Sequence, residues 1–412
     1  MPFGFYIIMA AQFFSALADN ALLIVAIDML RKVGAPPEHE PLLRSFFAVS
    51  YVVLAAFVGA FADSMPKWRV MLISNTIKIG GCLLLFAGAQ PLYAYAVVGL
   101  GAAAYSPAKY GILTEYLPHR KLVVANGWIE GLTVAAIIFG TVFGGELVDE
   151  KIVSWFATFD LQPFDPTLLA IVIIGVFYLI AAVFNLFIPD TGVDHKPLNN
   201  NPLYLLHDFI HCLRLLWRDK LGQISLASTT LAWGAAATLQ LIVLAWASPN
   251  LGLDLSKATR LLGVVAAGMA TGAILASRIS LRNSVQVLPL GVFMGFIILL
   301  MPLVTNLYLA CVMLFIIGTC GGFFVVPMNA LLQHRGHILM GAGHSIAVQN
   351  FNENLSILLM NGAYALLIFW SLSANTVVVL FGLFVAGSMF LVKRWYTASQ
   401  RTTDAVSQLD NI

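Results

Sequence analysis

Long apolar runs separated by short polar loops extend through almost the whole chain. Most runs have about 20 residues or more, the length needed to cross a bilayer as a helix, and they do not alternate as strands would. The pattern therefore predicts an all-α membrane protein with twelve transmembrane helices. Their approximate bounds are 5–30, 44–62, 69–89, 91–113, 122–148, 166–188, 221–248, 257–277, 285–304, 306–332, 341–370 and 374–394.

A longer charged stretch at about 189–220 interrupts this pattern between the sixth and the seventh predicted helix. Within it, residues 207–218 can place apolar and polar side chains on opposite faces, which favours an amphipathic helix on the membrane surface. We therefore predict an N-terminal six-helix half at 1–190, a cytoplasmic linker with this helix at 191–220, and a C-terminal six-helix half at 221–412.

The composition and the distribution of charge agree with a membrane protein. Hydrophobic residues make up 60% of the chain and charged residues only 10%, against about 25% in soluble domains, and the mean hydropathy is +0.88. With the N-terminus inside, inner loops and tail carry 14 of the 22 Lys and Arg residues and outer loops six, leaving Lys78 and Lys109 in the membrane. The positive-inside rule then predicts that both termini are cytoplasmic. The basic residues form no patch interleaved with aromatics, so we expect no nucleic-acid partner.

The second half of the chain loosely repeats the first. Gly59-Ala-Phe-Ala-Asp63 closes the second helix, and Gly272-Ala-Ile-Leu-Ala276 closes the eighth. Parallel six-helix halves of this kind are typical of a large class of transporters. Each half also has a proline-containing helix followed by a helix with an Asn/Glu pair: Pro107 with Asn126 and Glu130, and Pro327 with Asn350 and Glu353.

Ionisable and amide side chains inside the predicted helices are the candidates for a substrate site, because they are expensive in lipid. On the first helix, Gln12, Ser15 and Asp19 share one face. We expect Asp19, near mid-membrane, to accept an ammonium group or to carry a proton. A structural pair with a buried lysine is the alternative.

The densest polar stripe lies on the eleventh helix and contains Asn350, Glu353, Asn354 and Asn361. The fifth helix has a matching stripe of Asn126, Glu130 and Thr133. Such stripes face protein or water rather than lipid. They could line a substrate path, or they could only form hydrogen bonds between helices.

Three further polar positions are less specific. Lys109, after Pro107, could reach a phosphate group or extend its charge to the membrane interface. For Lys78, on the third helix, we favour a structural pair. Gln240 shares a face of the seventh helix with Thr229 and Trp233 and could line the second half, although packing alone would also explain it.

Glycine pairs separated by three residues predict close contacts between helices. They are Gly140 with Gly144, Gly268 with Gly272, and Gly318 with Gly322.

Cysteines and histidines give no metal-ligand spacing, and we expect no metal and no cofactor. The cysteines Cys82, Cys212, Cys311 and Cys320 are interpreted as small apolar residues, and His334, His337 and His344 as interfacial. We do not expect an enzyme: no histidine has an aspartate five residues later, as acyltransferase chemistry commonly needs, and no nucleophile motif occurs.

The segment Gly59-Ala-Phe-Ala-Asp-Ser-Met-Pro-Lys-Trp-Arg69 resembles the signature between the second and third helices of the major facilitator superfamily. Gly59, Asp63 and Lys67 match that signature, whereas Ser64 and Pro66 depart from it. The resemblance implies the major facilitator fold, with Asp63 in a latch that stabilises one conformation. A helix-capping role for Asp63 is the alternative.

A more specific resemblance lies in the stretches 11–23, 101–113, 321–333 and 341–350, which are similar to the LplT family of lysophospholipid transporters of Gram-negative bacteria. It implies a flippase of the cell inner membrane. Such a protein would move lysophosphatidylethanolamine and related lysolipids to the inner leaflet by alternating access, where an acyltransferase restores the second chain.

On this interpretation, we expect a monomer in which the head group crosses a polar cavity of helices one, four, five, seven and eleven. Asp19 or Glu353 would meet the ammonium group and Lys109 the phosphate. A proton-coupled exporter of drugs or small polar solutes with the same fold remains the alternative, because buried carboxylates could equally carry protons.

Overall fold

The computed structural model describes residues 1–117, 119–157, 166–192, 201–276, 279, 281–340 and 342–402. Within these ranges, it does not describe the side chains of residues 60, 63, 114, 119–124, 126, 127, 130, 156, 157, 337, 342, 343, 401 and 402. The described residues contain no strand. Their α-helices are α1 (Phe3–Lys32), α2 (His39–Asp63), α3 (Lys67–Phe86), α4 (Pro91–Tyr116), α5 (His119–Leu147), α6 (Glu150–Ala157), α7 (Pro166–Leu186), α8 (Pro202–Arg218), α9 (Lys220–Leu251), α10 (Leu255–Ala276), α11 (Leu288–Leu299), α12 (Leu307–Met340), α13 (Ala342–Phe369) and α14 (Ala374–Thr402).

Twelve of these helices form the predicted membrane-crossing set, two groups of six that exclude the short α6 and the linker helix α8. In the described ranges, nine spans are long and apolar enough to cross a membrane by length and composition alone. One of them combines α11 with two flanking 3₁₀ turns, Leu281–Val287 and Met301–Leu303. The remaining members of the twelve are α4, α5 and α13.

Several helices continue beyond their predicted ends. The pattern placed the end of the tenth spanning helix near residue 332 and that of the twelfth near 394, but α12 continues to Met340 and α14 to Thr402. Polar residues mark where a helix leaves the hydrocarbon, and backbone hydrogen bonding can continue beyond that point. The extended ends are therefore helical although their composition is that of a loop.

The chain divides into two compact units, of which the first contains residues 1–206 and 255–260. In this unit α1 packs against α4, α5 and α7, and α3 packs between α4 and α7. A continuous run of α1, residues 21–27, is fully buried on every side. A helix that is apolar all round is a central one, so α1 is the core helix of the first unit.

The second unit contains residues 207–254 and 261–412. Here α9 packs against α12, α13 and α14, and α11 packs against α12 and α14. A core cluster of this unit includes Ile224 of α9, Leu288 of α11, Phe324 and Met328 of α12, and Met389 of α14. The unit boundary falls inside the linker, and the domain bounds expected from sequence remain a prediction.

The predicted glycine contacts are confirmed in both units. A Cβ atom added to Gly144 of α5 would lie 2.6 Å from the backbone carbonyl oxygen of Ala21 on α1. Between α10 and α12, a Cβ on Gly318 would overlap the carbonyl oxygen of Val265, and one on Gly272 would overlap that of Thr319. The backbones of these helices touch directly because the glycines have no side chain.

The N-terminus of α9 is held by Asp219, which is its N-cap. One carboxylate oxygen accepts from the backbone N–H of Gly222 at 2.7 Å, as a capping aspartate should. Arg335 of α12 donates to both oxygens, at 3.0 Å and 2.5 Å. Burial opposes ionisation, but the hydrogen bonds from Arg335 and Gly222 outweigh it and lower the pKa of Asp219 below its ordinary value.

The substitution Asp219→Asn is expected to lower stability by about 1 kcal/mol, because asparagine keeps the cap but loses the charge pair with Arg335. A carboxyl group with a lowered pKa stabilises the fold fully above its ordinary pKa of about 3.9 and loses that effect as the pH falls through the folded value. Thermal melting of wild type and variant in detergent should therefore differ constantly above about pH 4 and converge below it. A difference in melting temperature that persists unchanged below about pH 4 would contradict the charge pair.

Candidate functional site

The Asp19 carboxylate of α1 is paired inside the first unit. Lys78 of α3 donates its Nζ to Oδ2 of Asp19 at 2.8 Å, and the hydroxyl of Tyr178 on α7 donates to Oδ1 at 2.7 Å. The side chain of Lys78 is only 2% exposed, whereas that of Asp19 is 14% exposed. The accessible partner of this ion pair is therefore the carboxylate.

A second set of contacts fixes Lys78 in place. Its Nζ also donates to Oγ of Ser15 at 3.0 Å, and that hydroxyl donates to Oδ1 of Asn75 at 2.7 Å. The rings of Tyr105 and Tyr178 have their centroids 5.2 Å and 5.6 Å from Nζ, within cation–π range. We call the group Ser15, Asp19, Asn75, Lys78 and Tyr178 the Asp19 cluster.

The approach of α4 to α3 explains how a lysine can reach this depth. A Cβ atom on Gly101 would lie 2.6 Å from the carbonyl oxygen of Ser74 and 2.7 Å from Cγ of Lys78. The stem of Lys78 therefore crosses the bare backbone of α4 and directs its charge to α1. The expected structural pairing of Lys78 is present, and because its partner is Asp19, the structural pair given as the alternative for Asp19 is present as well.

Gln12 ties α1 to α5 near the cluster. Its Nε2 donates to the carbonyl oxygen of Ile129 at 3.2 Å and to Oγ1 of Thr133 at 2.7 Å, while its buried Oε1 has no hydrogen-bond partner among the described side chains. The side chains of Asn126 and Glu130 lie outside the described ones, so their predicted role stays a prediction.

The predicted latch residues are placed only in part. Lys67 donates its Nζ to the carbonyl oxygen of Ala62 at 2.7 Å and lies 3.3 Å from Oε1 of Glu115 on α4. Gly59 faces open space, and the side chain of Asp63 is not described. The described contacts thus join the turn after α2 to the end of α4 through Lys67.

Lys109 is half-buried on α4, with Nζ 4.4 Å from the centroid of the neighbouring Tyr110 ring. The cation that pairs with Asp19 is Lys78. A phosphate-binding role for Lys109 stays a prediction.

In the second unit, the stripe on α13 faces neighbouring helices. Gln349 donates from Nε2 to Oδ1 of Asn329 on α12 at 3.0 Å and to the buried Glu353 at 2.8 Å. Oγ1 of Thr238 on α9 donates to Asn361 at 2.9 Å. The contacts with Asn329 and Thr238 are hydrogen bonds between helices, as the simpler interpretation expects, whereas the contact of Gln349 with Glu353 lies within α13.

The other predicted residues of the second unit are less enclosed. Asn354 donates from Nδ2 to the backbone carbonyl oxygen of Asn350 at 2.9 Å, and both side chains are half-buried. Gln240 on α9 is also half-buried. A role in substrate binding stays a prediction for all three.

Sequence reasoning missed the tyrosines, Glu115 and Gln349. The hydroxyl of Tyr95 donates to the backbone carbonyl oxygen of Asp19 at 3.1 Å, and the hydroxyl of Tyr178 donates to its carboxylate. A buried tyrosine usually finds a hydrogen-bond partner, so tyrosines within apolar helices were the available signal. For Glu115, the available signal was the presence of a carboxylate on the same side of the membrane as Lys67.

A family model and curated relatives both match this chain over most of its length. The family model of the Major Facilitator Superfamily matches residues 8–358. The chain is 40% identical over 363 residues to the lysophospholipid transporter LplT of Yersinia pestis (strain Pestoides F), covering 88% of this chain and 86% of that one. LplT of Yersinia pseudotuberculosis serotype I (strain IP32953) matches to the same extent.

Solved structures share the fold at low sequence identity. A bacterial homolog of the human lysosomal transporter Spinster, in an inward-facing and unoccupied conformation, aligns with TM-score 0.69 and 15% identity, covering 97% of this chain and 98% of that one. The human organic anion transporter MFSD10 aligns with TM-score 0.69 and 14% identity, covering 96% and 100%. From these matches and the twelve-helix architecture, the chain belongs to the Major Facilitator Superfamily and, within it, to the family of the lysophospholipid transporter LplT.

Proposed function

We propose that this protein is a flippase that moves lysophosphatidylethanolamine and related lysolipids from the outer to the inner leaflet of a bacterial inner membrane. The observation that carries the proposal is the 40% identity to LplT proteins across 88% of the chain. Transport proceeds by alternating access, with both termini in the cytoplasm. The protein acts as a monomer and performs no chemistry itself, and an acyltransferase on the cytoplasmic side restores the second chain.

The Asp19 cluster supplies the chemistry that a zwitterionic head group needs. An ionised carboxylate has about four lone-pair sites, and the two described side-chain donors to Asp19 are Lys78 and Tyr178. The accessible edge of Asp19 can therefore accept an ammonium group without displacing Lys78. Before substrate arrives, Lys78 compensates the carboxylate, so the empty site does not hold an unpaired charge.

The phosphate of the head group requires a second, positive contact. Lys78 is nearly inaccessible, so we assign this contact to Lys109, whose half-buried position suits an anion that enters and leaves. Of the other predicted residues, Gln12, Gln240, Asn126, Asn350 and Asn354 would offer amide contacts, and Glu130 and Glu353 would offer carboxylates.

The direct test is movement of labelled lysophosphatidylethanolamine from the outer leaflet of proteoliposomes that contain the purified protein. Liposomes without protein and labelled phosphatidylethanolamine with two acyl chains are the controls. Protein-dependent movement of the single-chain lipid supports the proposal. If the folded protein moves no lysolipid but exports a soluble cation when a proton gradient is imposed, the exporter alternative holds.

The substitution Lys109→Gln is expected to lower the transport efficiency for lysophosphatidylethanolamine roughly 10- to 100-fold, the worth of a hydrogen bond to a charged group. Lys109→Arg keeps the charge and should retain most of the activity. Initial rates over a series of lysolipid densities in the outer leaflet measure the effect. Unchanged rates in the glutamine variant would assign Lys109 to the membrane interface alone.

A further inference from the structure

Three side chains that can bind a metal ion converge in the second unit, outside the Asp19 cluster. Asp208 and Cys212 lie one turn apart on α8, and His344 lies near the start of α13. One ligand atom from each lies within 4.8 Å of the other two. Nε2 of His344 is 3.1 Å from Oδ2 of Asp208. Within the described part of the chain, these three residues form the only such group.

The distances suit a single tetrahedral ion. Zinc bonds to histidine nitrogen, carboxylate oxygen and cysteine sulfur are about 2.0–2.3 Å long, so ligand atoms around one ion lie roughly 3.3–3.8 Å apart. The distance from Oδ2 of Asp208 to Nε2 of His344 is already close to this range. The ligand atom of Cys212 lies within 4.8 Å of the other two ligand atoms, so a small side-chain rotation would bring it to a bonding position.

The donor set selects the metal. A thiolate, an imidazole and a carboxylate suit Zn²⁺, whereas Mg²⁺ and Ca²⁺ prefer oxygen ligands alone. Cys212 is only 6% exposed, while the side chains of Asp208 and His344 are 43% and 55% exposed. An ion can therefore enter from the solvent side and reach the sulfur between two accessible ligands.

We propose that Asp208, Cys212 and His344 bind Zn²⁺ with a fourth position open to water, and that the ion fastens the linker helix α8 to α13. The same two helices already meet at two points. The rings of Phe209 and Phe351 make an edge-to-face contact with centroids 5.3 Å apart, and Nε1 of Trp217 donates to Oδ1 of Asn352 at 3.2 Å. The metal adds a third point of attachment, at the end of α13 that precedes Gln349 and Glu353.

Sequence spacing did not reveal the site, because its third ligand is distant in the chain. Asp208 and His344 are 136 residues apart. The pair Asp208 and Cys212 alone is an ordinary i, i+4 pair on a helix, and only the packing of α8 against α13 brings a histidine to it.

The test uses the purified full-length protein, stripped of metal with a chelator and titrated with Zn²⁺ or Co²⁺. We expect one ion per chain, a thiolate-to-cobalt charge-transfer band, and a higher melting temperature with Zn²⁺. Cys212→Ser should remove the band, and His344→Ala should weaken zinc binding at least about 100-fold, beyond the 10–100-fold that loss of an outer-shell partner costs. His344 is exposed, so its substitution tests the site without disturbing the core.

Two matched variants serve as controls. His211→Ala removes another exposed histidine of α8, and Cys320→Ser removes another buried thiol. Both should bind Zn²⁺ as the wild type does. Zinc binding that survives in both Cys212→Ser and His344→Ala, or that is lost equally in the control variants, would overturn the proposal. So would a wild type that binds no Co²⁺ through sulfur, which would leave only the contact between Asp208 and His344.

Discussion

The substitution Asp19→Asn is expected to abolish lysolipid transport and to destabilise the protein. The change removes the negative charge that the proposed mechanism offers to the ammonium group. It also leaves Lys78, whose side chain is 2% exposed, without its ion partner. Breaking a buried pair on one side costs about 3–5 kcal/mol, because the remaining charge is uncompensated. Lysolipid uptake by proteoliposomes and thermal melting in detergent measure the two effects separately.

The double variant Asp19→Asn with Lys78→Met distinguishes a substrate carboxylate from a structural one. Replacing both charges of a buried pair is often neutral or stabilising, so the double variant should recover most of the melting temperature lost in Asp19→Asn. Transport should remain absent, since the ammonium group still has no carboxylate. A double variant that transports normally would show that the pair serves the fold alone.

Asp28→Asn is the matched control on the same helix. Asp28 pairs with Lys32 at 2.8 Å in an i, i+4 arrangement at the end of α1. The side chain of Lys32 is 49% exposed and that of Asp28 is 16% exposed, and a pair whose cation reaches water contributes little. We expect both transport and melting temperature to stay near wild type.

The substitution Gly318→Ala is expected to destabilise the second unit strongly. The added Cβ would occupy the position of the carbonyl oxygen of Val265 on α10. Overpacking against movable side chains costs typically about 1–3 kcal/mol, and here the obstacle is the backbone of a helix, so we expect a loss of at least about 3 kcal/mol. Size-exclusion profiles and melting curves of the purified protein measure it.

Gly321→Ala, one turn along the same helix, provides the contrast. The nearest atom to its added Cβ is Sδ of Met294 at 3.8 Å, an ordinary contact. Alanine is the better helix former by about 1 kcal/mol, so this variant should be neutral or slightly stabilising. Equal damage from both substitutions would mean that α12 tolerates no change of backbone freedom, and the contact with α10 would not be the cause.

The pattern of apolar runs predicted the helices well, because a bilayer demands about 20 apolar residues per crossing whatever those residues contact. Glycine pairs also identified close helix contacts, because a glycine allows close approach whichever helix packs against it. The partner of Asp19 was harder to predict. Lys78 lies 59 residues away on a different helix, and its reach depends on the bare backbone at Gly101. Such a relationship exists only in three dimensions.

The buried hydrogen-bond partners were hardest to predict. Tyr178 is 159 residues from Asp19, and although its place within an apolar run indicates a buried tyrosine, the sequence does not identify the group that its hydroxyl contacts. Gln349 precedes Glu353 by one turn, yet only its contact with Asn329 shows that the stripe meets α12. The sequence around a residue predicts its depth in the membrane, but it does not predict which helix the side chain faces.

The distance along the chain between Asp19 and its partners also has a consequence for how the protein is made. Helix α1 emerges from the ribosome before α3, so its carboxylate enters the membrane before Lys78 exists to pair with it. Insertion of an aspartate at the centre of a helix costs about 2.5–3.5 kcal/mol, which the many leucines, isoleucines and valines of α1 must offset at about 0.3–0.6 kcal/mol each. Synthesis of α3 then neutralises the charge, and synthesis of α7 supplies Tyr178. The Asp19 carboxylate thus gains its partners in two stages of biogenesis, and a chain stalled before α3 would carry an unpaired acid in lipid.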